Sequence, residues 1–258
     1  HSSPVVVRDE AQAVIVTNGV LTLSVSKEQF SLFSSLRVGN QSIFGQATGI
    51  QIFPAEGDPV STRVLPPTSI KIEEQGPLRA VIKVSGRFAA VHDNSLEYIC
   101  SITVFAGQEL VKVRLWLRNT GAYGYNLPQG QSQWFAFDGV AVDLDLKPLL
   151  QSDGALVFSE GVDSRVGADD TWRVAQYGES PDYKSMHFAI EHNGKQLAAG
   201  HHTTGITRIR SGETSLTVAV RHFWQNYEKA ITLQDQRLSL WLWPRFGEWP
   251  RTTSSRGA

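Results

Sequence analysis

The sequence predicts an all-β protein, a large antiparallel super-sandwich of two packed sheets. Three observations carry this expectation. Apolar and polar residues alternate with a period of two from end to end, and Asn-Gly and other glycine turns separate the alternating runs. No window of a dozen residues keeps a 3.6-residue apolar stripe between helix caps. At 258 residues, 41% of them hydrophobic and 19% charged, the chain can bury a substantial core. It reads as a single domain over residues 1–258, with a core at 14–244 and a tail at 245–258.

The elements follow in order. Val14–Val16 and Val20–Val25 flank Asn18-Gly19, a pair that tolerates the positive φ angles of a tight hairpin. Phe30–Val38 and Ser42–Phe53 continue the meander through a turn at Gly39-Asn40, where Asn40-Gln41-Ser42 is also a glycosylation sequon. Residues 54–67, rich in Pro, Gly, Asp and Glu, read as an exposed loop. Ser69–Glu74, Ala80–Ala90, Leu96–Phe105 and Leu110–Arg118 are four strands divided by Gly76-Pro77, His92–Ser95 and Ala106–Gln108. Residues 121–133 carry turn residues, amides and two tyrosines with little alternation, the mark of a long surface loop. Phe135–Leu146 resumes strand character, with Asp143 and Asp145 on a solvated face. Val162–Gln176 reads as loop, with Asp169-Asp170 as an Asx turn, inside an excursion near 161–185. His187–Glu191, Lys195–Gly200, Ile206–Arg210, Leu216–Phe223 and Arg237–Trp243 complete the sheets.

A net charge of −1 gives no general attraction to nucleic acid or anionic membrane, and neither is expected as a partner. No apolar run reaches the roughly 18 residues that span a bilayer. Cys100 is the sole cysteine and lies in an alternating run, so it reads as a small buried hydrophobe. His201-His202 would point to opposite faces of a strand, and neither a metal nor a cofactor is expected. No Gly-rich phosphate loop, dinucleotide fingerprint or Gly-x-Ser-x-Gly motif is present.

The densest chemistry follows Leu216–Val220. On a strand, His222, Trp224 and Asn226 would extend the apolar row while Arg221, Gln225 and Tyr227 face the other way, so a regular strand forces a choice between the sets. These residue types suit β-elimination on a uronate: a cation or amide neutralises the developing enolate while His or Tyr moves the proton. Arg221, His222 and Tyr227 are the catalytic candidates. Trp224, Gln225, Asn226 and Lys229, with Trp243 and Arg245 beyond, are the substrate-binding candidates, an indole offering a flat face to a sugar ring. The same set fits a strand end that only packs, or a site that binds sugar without breaking it.

"VRHFWQNYEKAI" with "LSLWLWP", "VTNGVLTLSVSKEQFSLFSSLRVG" and "LEYICSITVFAGQELVKVRLWLRNT" together resemble the central β-sandwich of the exolytic rhamnogalacturonan lyase family. The resemblance implies cleavage of pectin-type rhamnogalacturonan by elimination, an extracellular or cell-surface setting and an acidic polysaccharide as partner. It also implies an N-terminal barrel-like domain and a C-terminal α/α toroid, on this chain or a partner, neither expected within residues 1–258. The alternative is a non-catalytic carbohydrate-binding or interdomain scaffold module.

Overall fold

The structure is a computed structural model and describes residues 3–45, 49–55, 57–89, 96–120, 137–150, 154–178, 186–226 and 228–244. Every regular element among them is a β-strand, and strands that pair with a chain neighbour do so in antiparallel fashion. The all-β sandwich class holds, with strands distributed over several sheets rather than two. The chain divides into two compact units, His1–Phe137 with Asp143–Pro148 and Asp138–Val142 with Leu149–Ala258.

In the first unit, β1 (Val6–Asp9), β2 (Ala13–Thr17), β3 (Leu21–Ser26), β4 (Ser35–Val38) and β5 (Gln41–Ser42) form one sheet in chain order. β6 (Gly49–Pro54) and β7 (Val60–Ser61) pair as a hairpin. β8 (Ser69–Gln75), β9 (Arg79–Arg87), β10 (Leu96–Phe105) and β11 (Val111–Asn119) make a second sheet ordered β11-β10-β9-β8. Strict alternation sends Leu96, Tyr98, Cys100, Ile102 and Val104 inward from β10, all buried. Burial pushes the Cys100 thiol up to about 12, as suits an inert core residue. Phe30 stacks on Tyr98 at 5.2 Å, and Phe88 meets the same ring edge-on at 5.6 Å.

One end of this sandwich is tied by Asn18, which is fully buried. Its Oδ1 accepts from the Val20 and Leu21 amides at 3.0 and 2.8 Å, while Nδ2 donates to the carbonyls of Phe105 and Gln108 at 2.6 and 2.7 Å. Its own carbonyl accepts from the Gly107 amide at 3.0 Å. The β2–β3 turn is thus pinned to the β10–β11 turn. Only Gly19 of the Asn-Gly pair has a positive φ, +89°.

Tyr98 presents a different problem. Its hydroxyl has no hydrogen-bond partner among the described residues, and burial raises its pKa. Gly86, opposite it on β9, makes the room, because a Cβ there would overlap the hydroxyl. Tyr98→Phe keeps the ring contacts and removes the unpaired group. The variant is expected to be as stable as the parent or more stable by about 1 kcal/mol, read from urea denaturation midpoints. A loss above that figure would mean that the hydroxyl is satisfied.

β12 spans Phe137–Asp145. The second unit adds β13 (Ala155–Ser159), β14 (Val162–Val166), β15 (Trp172–Gly178), β16 (Met186–His192), β17 (Lys195–Gly200), β18 (Ile206–Ser211), β19 (Thr214–Ala219), β20 (Lys229–Gln234) and β21 (Arg237–Trp243). Five of these run β17-β16-β15-β20-β21, and four run β14-β13-β18-β19.

Four expectations are corrected. Residues 162–176, read as loop, contain β14 and β15; β15 is flanked by β16 and β20 and buries Val174, Ala175 and Gln176 in succession, so no alternation marks it. The same two-sided burial hid β20. Phe30–Val38 is strand only from Ser35, because Phe30, Leu32 and Phe33 fill the core from irregular chain, with Leu32 at φ +70°. Asp143 is buried rather than solvated, since Gly139–Leu144 are covered on both faces. The loop at 121–133 and the turn at His92–Ser95 lie outside the described residues.

Candidate functional site

The strand expected over Leu216–Phe223 ends at Ala219, and residues 221–226 form a turn closed by the Asn226 amide donating to the His222 carbonyl at 2.9 Å. His222 sits at φ +55°. The cause lies in Phe223, which turns inward and is 1% exposed. It packs on Gly205, where φ is +70° and any Cβ would strike the ring. The Val220 amide donates to the Gly205 carbonyl at 3.1 Å, fixing the turn to that loop. Two opposed strand faces therefore do not exist here. Arg221, His222, Gln225 and Asn226 are all exposed on one turn, with Trp224 half-buried among them.

Trp224 is the link to residues that the sequence did not bring together. Its indole stacks on the His202 imidazole with centroids 4.3 Å apart. His201 follows at 6.5 Å from His202, His187 at 5.9 Å from His201, and Tyr177 at 6.0 Å from His187. These five rings form a ladder from β15 and β16 to the turn. His201 and His202 are exposed because β17 has ended at Gly200, which frees the pair from strand geometry.

Two buried or half-buried polar groups hold the 201–205 loop in place. Gln176 is fully buried on β15; its Nε2 donates to the His187 and His201 carbonyls at 3.0 Å each, and its Oε1 accepts from the Thr203 amide at 2.9 Å. Glu160 accepts from the Thr203 hydroxyl at 2.7 Å and from the Thr204 amide and hydroxyl at 2.6 Å. Burial raises the Glu160 carboxyl, but the hydrogen bonds from Thr204 and Thr203 outweigh it and hold the group below its ordinary value. The imidazoles are thus presented from a pinned backbone.

Lys229 and Trp243 are placed elsewhere. Lys229 begins β20 opposite Gln176, its ammonium donating to the Leu242 carbonyl at 3.4 Å, and burial lowers its pKa. Trp243 ends β21, half exposed. Glu228, which the sequence did not single out, has its carboxyl raised by burial, a feature of groups that carry protons in sites. Tyr227 and Arg245 lie outside the described residues.

A Ser–His–Asp chain also occurs in this unit. Ser164 Oγ lies 2.8 Å from His192 Nδ1, and His192 Nε2 lies 3.2 Å from Asp170. Asp170 is committed to the turn, accepting from Asn193 Nδ2 and the Gly167 amide at 2.7 Å each. The hydrogen bond from Asn193, then that from the Gly167 amide, with the His192 imidazole beside them, take its pKa down to about 2. The group latches the 167–170 turn to the β16–β17 turn, as an Asx-type role at Asp170 implies.

Residues 5–119 match the family model described as the PcRGLX-like protein central beta sandwich domain. Over that segment the chain is similar to the central β-sandwich domain of rhamnogalacturonan lyases. No curated protein matches the chain.

Proposed function

We propose that the chain is a carbohydrate-processing sandwich of a polysaccharide lyase, acting on acidic, rhamnogalacturonan-type pectic polymer by β-elimination in an extracellular setting. The observation that carries this reading is the His202 imidazole stacked at 4.3 Å on Trp224, on the turn that also exposes Arg221 and His222. An imidazole takes and returns a proton near neutral pH, an indole gives a pyranose an apolar face, and a guanidinium stabilises a carboxylate as it gains enolate charge. In the reaction, base removes the proton beside the uronate carboxylate. The electron pair forms the ring double bond, and the glycosidic C–O bond breaks with the proton returned to the leaving oxygen.

Two imidazoles compete for the proton. His202→Ala and His222→Ala are each assayed on rhamnogalacturonan for the ultraviolet absorbance of unsaturated uronate. Loss of the base costs about 100-fold or more in kcat. Trp224→Ala is expected to raise KM more than it lowers kcat, because stacking acts on ground and transition states alike. Product formed at the parental rate by both histidine variants would sink the catalytic assignment. Polymer binding by the parent chain without any product would leave a recognition module in its place.

A further inference from the structure

The outer face of the β8–β11 sheet, within the first unit, carries a groove of about 630 Å³ that no catalytic argument uses. We propose that this groove binds a carboxylate-bearing oligosaccharide, as a substrate-holding site additional to the patch at Trp224. The proposal takes its ligand class from the acidic polysaccharide proposed above, and its residues from an independent surface.

Alternation along β11 sends Lys112, Arg114, Trp116 and Arg118 to this one face. β10 supplies the floor beneath them in register: Thr103 opposite Lys112, Ser101 opposite Arg114, and Ile99 opposite Trp116. The indole is 48% exposed over an apolar residue, with a cation two positions away on either side. From Lys112 to Trp116 the row runs about 13 Å at strand rise, longer than one sugar ring needs. Hydroxyls and cations alternate with the aromatic ring as they would along a chain bearing both hydroxyls and carboxylates.

Charge pairing separates this face from an ordinary solvated strand. The carboxylates on the four strands are already engaged: Glu73 with Lys83 at 3.0 Å, Glu74 with Arg79 at 2.7 Å, and Glu97 with Arg87 and Arg118. Lys112 and Arg114 have no ion-pair partner among the described residues. A guanidinium and an ammonium left open beside an open indole match a ligand with flat apolar faces and spaced negative charges. A nucleic acid would match the charges as well. Two free cations and one indole, on a chain of net charge −1, favour the less densely charged saccharide.

The test uses the whole 258-residue chain. Binding is measured by calorimetry for an oligogalacturonate, its fully methyl-esterified form and single-stranded DNA. Trp116→Ala and the double variant K112Q/R114Q are each expected to weaken oligogalacturonate binding at least tenfold, with unchanged thermal melts because all three side chains are exposed. Esterification, which removes charge and keeps the rings, is expected to weaken binding to the parent as much as the double variant does. Unaltered affinity in both groove variants overturns the proposal, and so does DNA binding as tight as that of the saccharide. If groove binding holds while no unsaturated product forms, the lyase reading fails and this site stands. If product forms but the groove variants bind as the parent does, the reverse follows.

Discussion

Replacing Asn18 with alanine is expected to destabilise the first unit by about 3 kcal/mol or more, the largest effect of any single polar side chain described there. The amide makes four hydrogen bonds, two as acceptor to the Val20 and Leu21 amides and two as donor to the Phe105 and Gln108 carbonyls. At about 1 kcal/mol net per bond the sum is about 4 kcal/mol. Water can recover part of the donor side, because Phe105 and Gln108 sit at a partly exposed turn. It recovers less at Leu21, which is buried. Asn18→Asp separates the halves: the carboxylate keeps both acceptor bonds and loses both donations, and at neutral pH its charge would face two carbonyl oxygens. Urea denaturation should therefore rank the parent above both variants. A loss below 1 kcal/mol for alanine would show that the clamp is replaced by solvent at little cost.

The clamp also shows what could be read in advance. The alternating runs of β2, β3, β9 and β10 are legible in the sequence because each of these strands buries one face. Leu96–Phe105 follows the rule residue by residue, and Asn18-Gly19 was recognisable as a turn. The long-range role of Asn18 was not, because it joins residues 87 and 90 positions apart and nothing local marks such a partner. β15 and β20 were missed for the complementary reason: strands covered on both faces lose the alternation that identifies them.

The candidate site divides the same way. The residue types around Arg221–Asn226 suggest sugar chemistry in the sequence, but their geometry is not visible there. On a regular strand Phe223 would face the same way as Arg221, opposite the apolar row, whereas Gly205, 18 positions earlier, supplies the space that turns it inward. His201 and His202 were judged on strand geometry, which they leave after Gly200. The groove on β8–β11 was hidden for another reason. Lys112, Arg114 and Trp116 look like an ordinary polar face until the engaged carboxylates around them show which cations remain open.

Gln176→Leu is the corresponding test in the second unit, expected to cost about 3 kcal/mol. Leucine fills nearly the same volume, so the loss isolates hydrogen bonding from packing. It strands the His187 and His201 carbonyls and the Thr203 amide, and the last is buried. Each buried group left unpaired costs about 1–3 kcal/mol, with the lower end fitting the two partly exposed carbonyls. The consequence extends beyond stability, because those backbone groups hold the loop that presents His201 and His202. Glu160 still anchors Thr203 and Thr204 on the other side, so the fold should survive while the stack against Trp224 loosens. Denaturation midpoints read the first effect, and the shift of the His202 imidazole resonances reads the second. Gln176→Glu adds a sign. A carboxylate there would face two carbonyl oxygens in a buried site, so its folded-state pKa is raised above the unfolded value. The folded state then binds more protons, and the penalty of Q176E grows as pH rises through the unfolded carboxyl range and eases under acid. If Q176L matches the parent in stability while its imidazole resonances are unmoved, Gln176 does not position the site.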